Sequence, residues 1–393
     1  MVETRSGQST KKKEVHVITG GGGYVGQNLA EKLLDKDVSI VLFDLNRPKE
    51  DLVGDVTFIQ GDIRNFNDVK EACKNASIVY HLASYGMSGR EQLNKTLIEQ
   101  VNVLGTKNVI KACEESGITR LVYTSTYNVV FGGQEIRNGD ESLPYLPLDQ
   151  HPDHYSRTKA IAEMAIMAAN GSQVEGGGKL ATCALRLAGV YGPAEQRHLP
   201  RIVSYLERGL MAFSYGSDPI TDYLHIDNLV QVEILAGEAL SEKKDRVAAG
   251  QTYFISDNKP INTFEFFRPL VQGLGFSGPY INLPLKLIYF IAIITEFLHS
   301  IIGRVYNFQP LLTKTEVYKT GVTHYFSIEK AARDLGYCPT VQNRLDEVIQ
   351  HFKSLGHGKK ETKEQSFIMR YLVNIIIAFI FASIILSFLP VTN

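Results

Sequence analysis

The stretch EVHVITGGGGYVGQNLAEKLL at residues 14–34 constrains the fold of this chain more than any other. An alternating apolar run leads into four consecutive glycines, and a helical pattern of apolar residues follows them. Glycine permits a tight turn, a close approach of the backbone to a bound group, and close packing of a helix on a strand. This order predicts the first unit of a parallel, doubly wound sheet, with phosphate groups bound at the helix N-terminus.

Five further apolar runs alternate with helical stretches, which is the pattern of an α/β fold of the Rossmann type. They are predicted to form strands at VSIVLFDLN (38–46), VTFIQ (56–60), SIVYHLAS (77–84), TRLVYTST (119–126) and LATCALRLAGVYGP (180–193). Ligands bind outside the carboxyl ends of the strands in such a sheet. The residues that follow each strand are therefore the candidates for a functional site.

Asp44 ends the second predicted strand, where a carboxylate can accept hydrogen bonds from the adenine ribose of a dinucleotide. A carboxylate repels a 2′-phosphate, so NAD is favoured over NADP, and the nearby Arg47 leaves NADP as the less favoured alternative. The other predicted cofactor-binding residues lie in the glycine turn, after the third and fourth strands, or in the following helix: Gly20, Gly23, Tyr24, Val25, Gly26, Asp62, Ile63, Leu82, Ala83 and Asn102.

The segment HYSRTK at residues 154–159 separates Tyr155 and Lys159 by four positions, which places both on one face of a helix. They open the long helical pattern that follows the fifth predicted strand, and Thr126 is the last residue of that strand. A tyrosine, a lysine and a hydroxyl at the carboxyl edge of the sheet predict proton-transfer chemistry beside the bound dinucleotide.

Taken together, Asp44 and the motifs TGGGGYVG, GDI, HLA, YTST, YSRTK and RLAGVYGP resemble the extended short-chain dehydrogenase/reductases over about residues 14–355. Within that superfamily, NGDESLPYLPLDQHPDHYSRTK resembles the sterol 4α-carboxylate 3-dehydrogenases, and YFISDNKP resembles the 3β-hydroxysteroid dehydrogenase/isomerases. The resemblance implies NAD-dependent oxidation of a 3β-hydroxyl group on a steroid or sterol. Those relatives usually have TSS where this chain has Thr124, Ser125 and Thr126, so Thr126 takes the position of the catalytic hydroxyl.

In this chemistry Tyr155 would take the proton of the alcohol. The free phenol has a pKa of about 10, and the Lys159 ammonium together with the positive nicotinamide ring would lower it. Thr126 would orient the substrate oxygen, and the resemblance implies that Lys159 also binds the nicotinamide ribose. His225 is interpreted as a packed or hydrogen-bonded histidine and Asp227 as a helix N-cap. A single carboxylate, Asp257, is too little to predict an isomerase activity.

The run YLVNIIIAFIFASIILSFL at residues 371–389 carries no charge and is long enough to span a bilayer as a helix. Basic residues precede it, which predicts a tail-anchored protein of the endoplasmic reticulum with its catalytic part in the cytosol. No secretory signal is expected at the N-terminus. This topology also predicts that the glycosylation sequons at Asn75, Asn94 and Asn170 are unused.

A second apolar stretch, LPLKLIYFIAIITEFLHSIIG at residues 283–303, is interrupted by Lys286, Glu296 and His299. Charges near the centre of a spanning helix are unfavourable, so a helix lying on the membrane or covering the site is favoured over a span. The expected organisation is a polar tail (1–13), a cofactor domain (14–200, with 222–258 contributing), a substrate subdomain (201–358) and the membrane helix.

The 393 residues carry a formal net charge of −1, which gives no overall field to attract nucleic acid. The four cysteines lack metal-ligand spacing, so no metal is expected. The expected partners are a steroid or sterol and membrane lipid, and a homodimer is allowed. Two alternatives stay open: a sugar-nucleotide epimerase or dehydratase of the same superfamily, and a membrane-tethered NAD-binding scaffold without catalysis.

Overall fold

The computed structural model describes residues 13–48, 52–211, 213–302 and 312–359, except for the side chain of Arg90. Nearly all of the predicted polar tail and the whole predicted membrane helix at residues 371–389 therefore lie outside the described residues.

The strands of the described part are numbered in chain order. They are β1 Glu14–Thr19, β2 Val38–Asp44, β3 Val56–Gln60, β4 Ile78–His81, β5 Arg120–Thr126, β6 Ile136–Gly139, β7 Ala181–Leu187, β8 Gly189–Tyr191, β9 Phe213–Tyr215, β10 Ile220–Thr221, β11 Tyr223–His225, β12 Gln251–Ile255, β13 Ile261–Asn262, β14 Ile281–Leu283 and β15 His324–Phe326.

The α-helices are numbered in the same way. They are α1 Tyr24–Leu33, α2 Phe66–Ala72, α3 Lys95–Glu99, α4 Gly105–Glu115, α5 His154–Ala168, α6 Leu199–Glu207, α7 Ile226–Ala239, α8 Thr263–Gly273, α9 Leu285–Ile302, α10 Lys314–Gly321, α11 Glu329–Leu335 and α12 Asp346–Ser354. A π-helical turn, Gln100–Leu104, joins α3 to α4, and a 3-10 helix, Tyr127–Val129, follows β5.

Seven strands form one sheet in the order β3-β2-β1-β4-β5-β7-β12, and every neighbouring pair is parallel. The chain builds outward from β1 in one direction and then returns to build outward from β4 in the other. The predicted Rossmann-type sheet is confirmed. Its topological switch lies between β1 and β4, which is where a dinucleotide binds in such sheets.

The sixth predicted strand, at residues 180–193, is wrong as a single element. Only β7 belongs to the central sheet, and every residue of β7 is buried. The strand ends before Ala188, whose N–H donates to the Ile255 carbonyl at 3.0 Å. The next residues form β8, which pairs with β11 in a separate two-stranded sheet. Apolar residues continue from Leu187 through Ala188 into β8, so the sequence shows no break where the chain leaves the central sheet.

Helices cover both faces of the central sheet and bury two apolar clusters. On one face, α1 and α7 contribute Leu29, Leu33, Leu229 and Val232. On the other face, the cluster takes Val69 from α2, Val109 from α4, and Ala162 and Ile166 from α5. Because both faces are covered, the strands are apolar almost throughout rather than alternating.

A second sheet has the strand order β13-β10-β15-β6. Along the chain, β6 and β10 lie between strands of the central sheet, whereas β13 and β15 follow β12. Helix α9 packs beside α10 and buries only Ile288 and Ala292. In the described part of the chain, α9 is the helix that is long and apolar enough to cross a membrane, judged by length and composition alone.

Candidate active site

The glycine turn after β1 has the geometry of a phosphate cradle. Gly20 adopts φ +74°, and a Cβ there would meet the Ala83 backbone nitrogen at 2.9 Å. At Gly26, a Cβ would lie 2.5 Å from the Gly20 carbonyl oxygen, so only glycine lets α1 start this close to the turn. Gly23 occupies the N-cap of α1, and no side chain caps this helix end. Its first N–H groups therefore face a site suited to an anion.

Asp44 lies beside this turn at the end of β2. Its carboxylate accepts hydrogen bonds from the Gly22 N–H at 3.1 Å and from the Asn46 N–H at 3.0 Å. A Cβ on Gly22 would lie only 2.1 Å from the Asn46 carbonyl oxygen. Sequence reasoning missed Gly22, which is the glycine that lets the turn approach Asp44. The nearby Arg47 guanidinium lies over the Phe58 ring, 5.5 Å from the ring centre.

The remaining predicted cofactor residues flank the same edge. Asp62 pairs with Arg64 at 2.5 Å, and this hydrogen-bonded guanidinium lowers the pKa of the Asp62 carboxyl. Ile63 is buried against Gly105 of α4. Leu82 and Ala83 follow β4, and their N–H groups donate to Thr19 at 3.2 and 3.3 Å. Tyr24 and Val25 open α1. These residues thus follow the carboxyl ends of β3 and β4 or open α1, on the same edge of the sheet as the glycine turn.

Tyr155 lies in the first turn of α5 and is 4% exposed. Asp153 fixes the start of this helix, because its carboxylate accepts from the Ser156 N–H at 2.7 Å and the Ser156 hydroxyl at 2.8 Å. Burial raises the pKa of Tyr155, and the Asp153 charge adds to the rise. The Arg197 guanidinium and a hydrogen bond with Ser84 pull the pKa in the opposite direction.

Lys159 lies one turn further along α5 and is 2% exposed. Its ammonium donates to the Thr124 carbonyl at 2.6 Å and lies 4.1 Å from the centre of the Tyr123 ring. These contacts tie α5 to the carboxyl end of β5. Burial lowers the pKa of Lys159 to about 7, and the carboxylates of Glu163 and Glu233 oppose the shift.

Thr126 ends β5 and is buried, and its hydroxyl oxygen accepts from the Asn128 N–H at 3.3 Å. The preceding Ser125 donates its hydroxyl to the buried Glu163. Glu163 also forms an ion pair with Arg186 of β7 at 2.8 Å and accepts from the Tyr145 hydroxyl at 2.9 Å. The two hydroxyls therefore have different partners, and the Ser125 bond holds the end of β5 against α5.

Sequence reasoning missed this network, although two signals were present. Glu163 follows Lys159 by one helical turn, and Arg186 is a charge inside an otherwise apolar strand. A charged residue that is buried requires a partner. Glu233 of α7 was missed as well: it accepts from the Thr124 hydroxyl at 2.6 Å, and burial raises its pKa to about 7.

Asn102 lies in the π-helical turn and is 2% exposed. Its side-chain oxygen accepts from the Tyr85 N–H at 2.9 Å, and its amide donates to the Tyr85 carbonyl and to the Thr158 hydroxyl, both at 3.0 Å. The amide thus joins the segment after β4 to α5. Asn102 holds these two parts of the site in register.

The assignment of Asp227 as a helix N-cap is wrong. His225 caps α7 instead, because its Nδ1 accepts from the Asp227 N–H at 3.3 Å. Asp257 is buried and accepts from the His225 N–H at 2.8 Å, and from the Asn228 amide and Tyr191 hydroxyl at 2.7 Å each. These hydrogen bonds give Asp257 a structural role.

Comparisons with known proteins point to one family. A model of the 3-beta hydroxysteroid dehydrogenase/isomerase family matches residues 17–285. The chain is 55% identical over 385 residues to short-chain dehydrogenase/reductase family 42E member 1 of Danio rerio, covering 98% of this chain and 99% of that one. It is 32% identical over 355 residues to the Mus musculus sterol-4-alpha-carboxylate 3-dehydrogenase, decarboxylating, covering 89% and 94%.

Solved structures show the same fold. MoeE5, in complex with UDP-glucose and NAD, superposes with a TM-score of 0.63 at 21% identity, covering 87% of this chain and 99% of that one.

Proposed function

Since the chain belongs to the 3-beta hydroxysteroid dehydrogenase/isomerase family, we propose that it oxidises a 3β-hydroxyl group of a steroid or sterol with NAD⁺. The observation that carries the proposal is the arrangement of α5 on β5. Tyr155 and Lys159 are buried on α5, and the Lys159 ammonium bonds the strand that ends in Thr126. The mouse relative is named for oxidation at the same ring position of a sterol.

In this reaction the Tyr155 phenolate accepts the proton of the alcohol, and the Thr126 hydroxyl bonds the substrate oxygen and orients it. A dinucleotide held by the glycine turn and Asp44 would supply the acceptor for the hydride of the carbinol carbon, and loss of that hydride would turn the alcohol into a ketone. Burial raises the pKa of Tyr155, so the charge of a bound nicotinamide ring and the Lys159 ammonium would have to stabilise the phenolate against this effect for proton transfer to proceed. Burial excludes water from these groups and strengthens their electrostatic interactions.

The residues around the glycine turn fit a dinucleotide. The uncapped start of α1 offers N–H groups to the pyrophosphate, and the Asp44 carboxylate lies where it would accept from the adenine ribose. That negative charge supports NAD over NADP as the cofactor. The solved neighbour MoeE5 also contains NAD.

We also propose that the substrate enters from a lipid bilayer touching α9. The outward side chains of this helix are large, apolar and exposed: Leu287, Phe290, Ile291, Ile293, Phe297, Ile301 and Ile302. Its inner side is held to α10, since Glu296 pairs with Lys314 at 3.3 Å and Tyr289 stacks on Tyr318 with ring centres 4.6 Å apart. These contacts favour a helix lying on the membrane over a span.

We propose that the apolar segment at residues 371–389 anchors the protein in the membrane of the endoplasmic reticulum. The catalytic part would then lie in the cytosol. A photoreactive probe carried in the acyl chain of a vesicle lipid should label peptides from both α9 and the tail of the full chain. Labelling of the tail alone would show that α9 does not touch lipid.

The first test of the function is NADH formation by the detergent-solubilised full chain, with NAD⁺ and a panel of 3β-hydroxysteroids and sterols. Tyr155→Phe should bind NAD⁺ normally and lose at least about 100-fold in kcat, because it removes the proton acceptor. Tyr280→Phe is the matched control, since Tyr280 is 63% exposed. Near-normal turnover by Tyr155→Phe would rule out the proposed role of Tyr155.

Two other outcomes would replace the proposal. Binding and turnover of a nucleoside-diphosphate sugar would assign the chain to the epimerase and dehydratase type. Binding of NAD⁺ without turnover of any steroid or sterol would favour a membrane-tethered scaffold.

A further inference from the structure

Glu233 of α7 is a fully buried carboxylate to which the proposed reaction assigns no role. Helix α7 covers one face of the central sheet, and α5, which carries Tyr155 and Lys159, covers the other. Strand β5 therefore separates Glu233 from the reacting groups. A carboxylate removed from water is unfavourable unless hydrogen bonds and an opposite charge compensate it. The position of Glu233 thus calls for a partner that balances its charge.

One residue of β5, Thr124, connects Glu233 to Lys159. Successive side chains of a strand point to opposite faces, so Tyr123 faces α5 and Thr124 faces α7. The Thr124 hydroxyl donates to Glu233 at 2.6 Å, and the Thr124 carbonyl accepts from the Lys159 ammonium at 2.6 Å. The ammonium also lies 4.1 Å from the centre of the Tyr123 ring. The two polar groups of Thr124 thus hold a carboxylate and an ammonium on the two sides of one strand.

The charges of Glu233 and Lys159 act on each other across this strand. Burial raises the pKa of Glu233 to about 7, whereas the Thr124 hydrogen bond and the Lys159 charge lower it. Burial lowers the pKa of Lys159, and the carboxylates of Glu163 and Glu233 oppose that shift. Glu163 already has a cationic partner, because it pairs with Arg186 at 2.8 Å. Among the described residues, the second oxygen of Glu233, Oε2, is buried and has no hydrogen-bond partner. Glu233 is therefore the carboxylate whose charge is left to balance Lys159.

We infer that Glu233 is a positioning residue, which supplies the counter-charge of the Lys159 ammonium from the far side of the sheet. The inference rests on the proposed function, because there the Lys159 charge supports the Tyr155 phenolate. A neutral Lys159 would not offer this support. Glu233 thus acts on proton transfer through Lys159 rather than by contact with the steroid.

Other titratable groups also lie around this pair. They are Tyr155 and Glu163 on α5, Tyr80 and His81 on β4, Tyr123 on β5, and Cys183 and Arg186 on β7. Burial lowers the pKa of His81 to about 3, so its imidazole is neutral at pH 5 and above. Burial raises the pKa of the three tyrosines and of Cys183, so these groups are neutral as well. As the pH falls through about 7, by contrast, Glu233 takes up a proton, and the counter-charge of Lys159 is lost.

A double-mutant cycle in the full chain tests the counter-charge without any turnover. Urea unfolding gives the unfolding equilibrium constants of wild type, Glu233→Gln, Lys159→Met and the double variant. The Glu233→Gln change keeps the size of the side chain and an oxygen that accepts from Thr124, so the fold is retained. At pH 7, Lys159→Met should raise the constant at least about fivefold more in wild type than in the Glu233→Gln background, because only wild type then keeps an unpaired carboxylate. At pH 5, where Glu233 is protonated, the two increases should agree within about twofold.

Glu238→Gln is the matched control for this cycle. Glu238 lies on the same helix, and it forms an exposed ion pair with Lys36. The effect of Lys159→Met should therefore be the same in the Glu238→Gln background as in wild type, at both pH values.

Steady-state kinetics test the consequence for the proposed reaction. At pH 7, Glu233→Gln should lower kcat for steroid oxidation about 10-fold, because the Lys159 charge acts on proton transfer. KM for the steroid should change less than about twofold, since Glu233 lies behind β5. Glu238→Gln should keep the wild-type kcat.

Additive effects of Glu233→Gln and Lys159→Met at pH 7 would overturn the inference. Equal coupling at pH 5 and pH 7 would overturn it too, since the link would then not depend on the charge of Glu233. An active wild type whose kcat is unchanged by Glu233→Gln would likewise exclude the positioning role. If wild type oxidises no steroid, the proposed function fails and the cycle alone decides: coupling at pH 7 that is lost at pH 5 still supports Glu233 as the counter-charge.

Discussion

Replacing Glu163 with leucine should destabilise the protein strongly, because it strands the buried charge of Arg186. The guanidinium is 3% exposed on its side chain, and its bonds to Glu163 are 2.8 and 2.9 Å long. Removing one partner of a buried ion pair costs about 3–5 kcal/mol. The variant also leaves the Ser125 hydroxyl without its acceptor. Urea unfolding of the solubilised full chain, followed by circular dichroism, measures the loss in the free energy of unfolding.

The double variant Glu163→Leu/Arg186→Met separates the cost of the unpaired Arg186 charge from the other effects of losing Glu163. It removes both charges, so the remaining cost is mainly the loss of the acceptor of the Ser125 and Tyr145 hydroxyls, about 1–3 kcal/mol for each hydroxyl left buried without a partner. The double variant should therefore be more stable than Glu163→Leu alone. Glu135→Gln breaks an exposed ion pair with Arg137 and should cost less than about 1 kcal/mol. A loss under about 1 kcal/mol in Glu163→Leu, or a double variant less stable than the single one, would refute the argument.

Three further predictions concern single side chains. The folded-state pKa of Lys159 is about 7, which is below the value of about 10.4 in unfolded chains. Between these two pH values the unfolded chain binds more protons than the folded chain, so the free energy of unfolding rises with pH. The stability of wild type relative to Lys159→Met should thus rise by up to about 1.4 kcal/mol per pH unit from about pH 7 to about pH 10, and a flat difference would contradict the shift. Asp44→Ala should raise KM for NAD⁺ about 10-fold and leave KM for NADP⁺ unchanged or lower, as measured by steady-state kinetics with each cofactor. An equal rise of both KM values would contradict the proposed contact between Asp44 and the adenine ribose. Asn102→Ala removes three buried hydrogen bonds and should cost about 2–4 kcal/mol in urea unfolding, against about 0.5 kcal/mol or less for Asn67→Ala on the surface.

The strands and the glycine turn were predictable because their signals are local. Apolar periodicity located β1 to β5 within a few residues, and the four glycines marked the phosphate turn. The boundary between β7 and β8 was not predictable, because the apolar run continues from β7 through Ala188 into β8. What changes there is the pairing partner, and pairing depends on residues far along the chain.

The same distinction separates the parts of the candidate site. Tyr155 and Lys159 are one helical turn apart, so their common face follows from the sequence. Glu233 comes from α7, and only the folded arrangement brings it to Lys159 of α5. The N-cap of α7 is His225 and not Asp227, because the His225 imidazole accepts from the Asp227 N–H where the chain passes from β11 into α7. Side chains that meet across such separations leave no periodic signal.

Under the proposed function, the exposed apolar face of α9 determines the concentration scale on which kinetics with a steroid should be plotted. In any solubilised preparation, detergent will cover that face, and a steroid will partition into the same micelles. Its concentration at α9 is then a mole fraction within detergent, not an amount per volume of buffer. Adding detergent at constant steroid dilutes the compound at the surface of the protein, so rates measured at different detergent concentrations agree only when they are plotted against mole fraction.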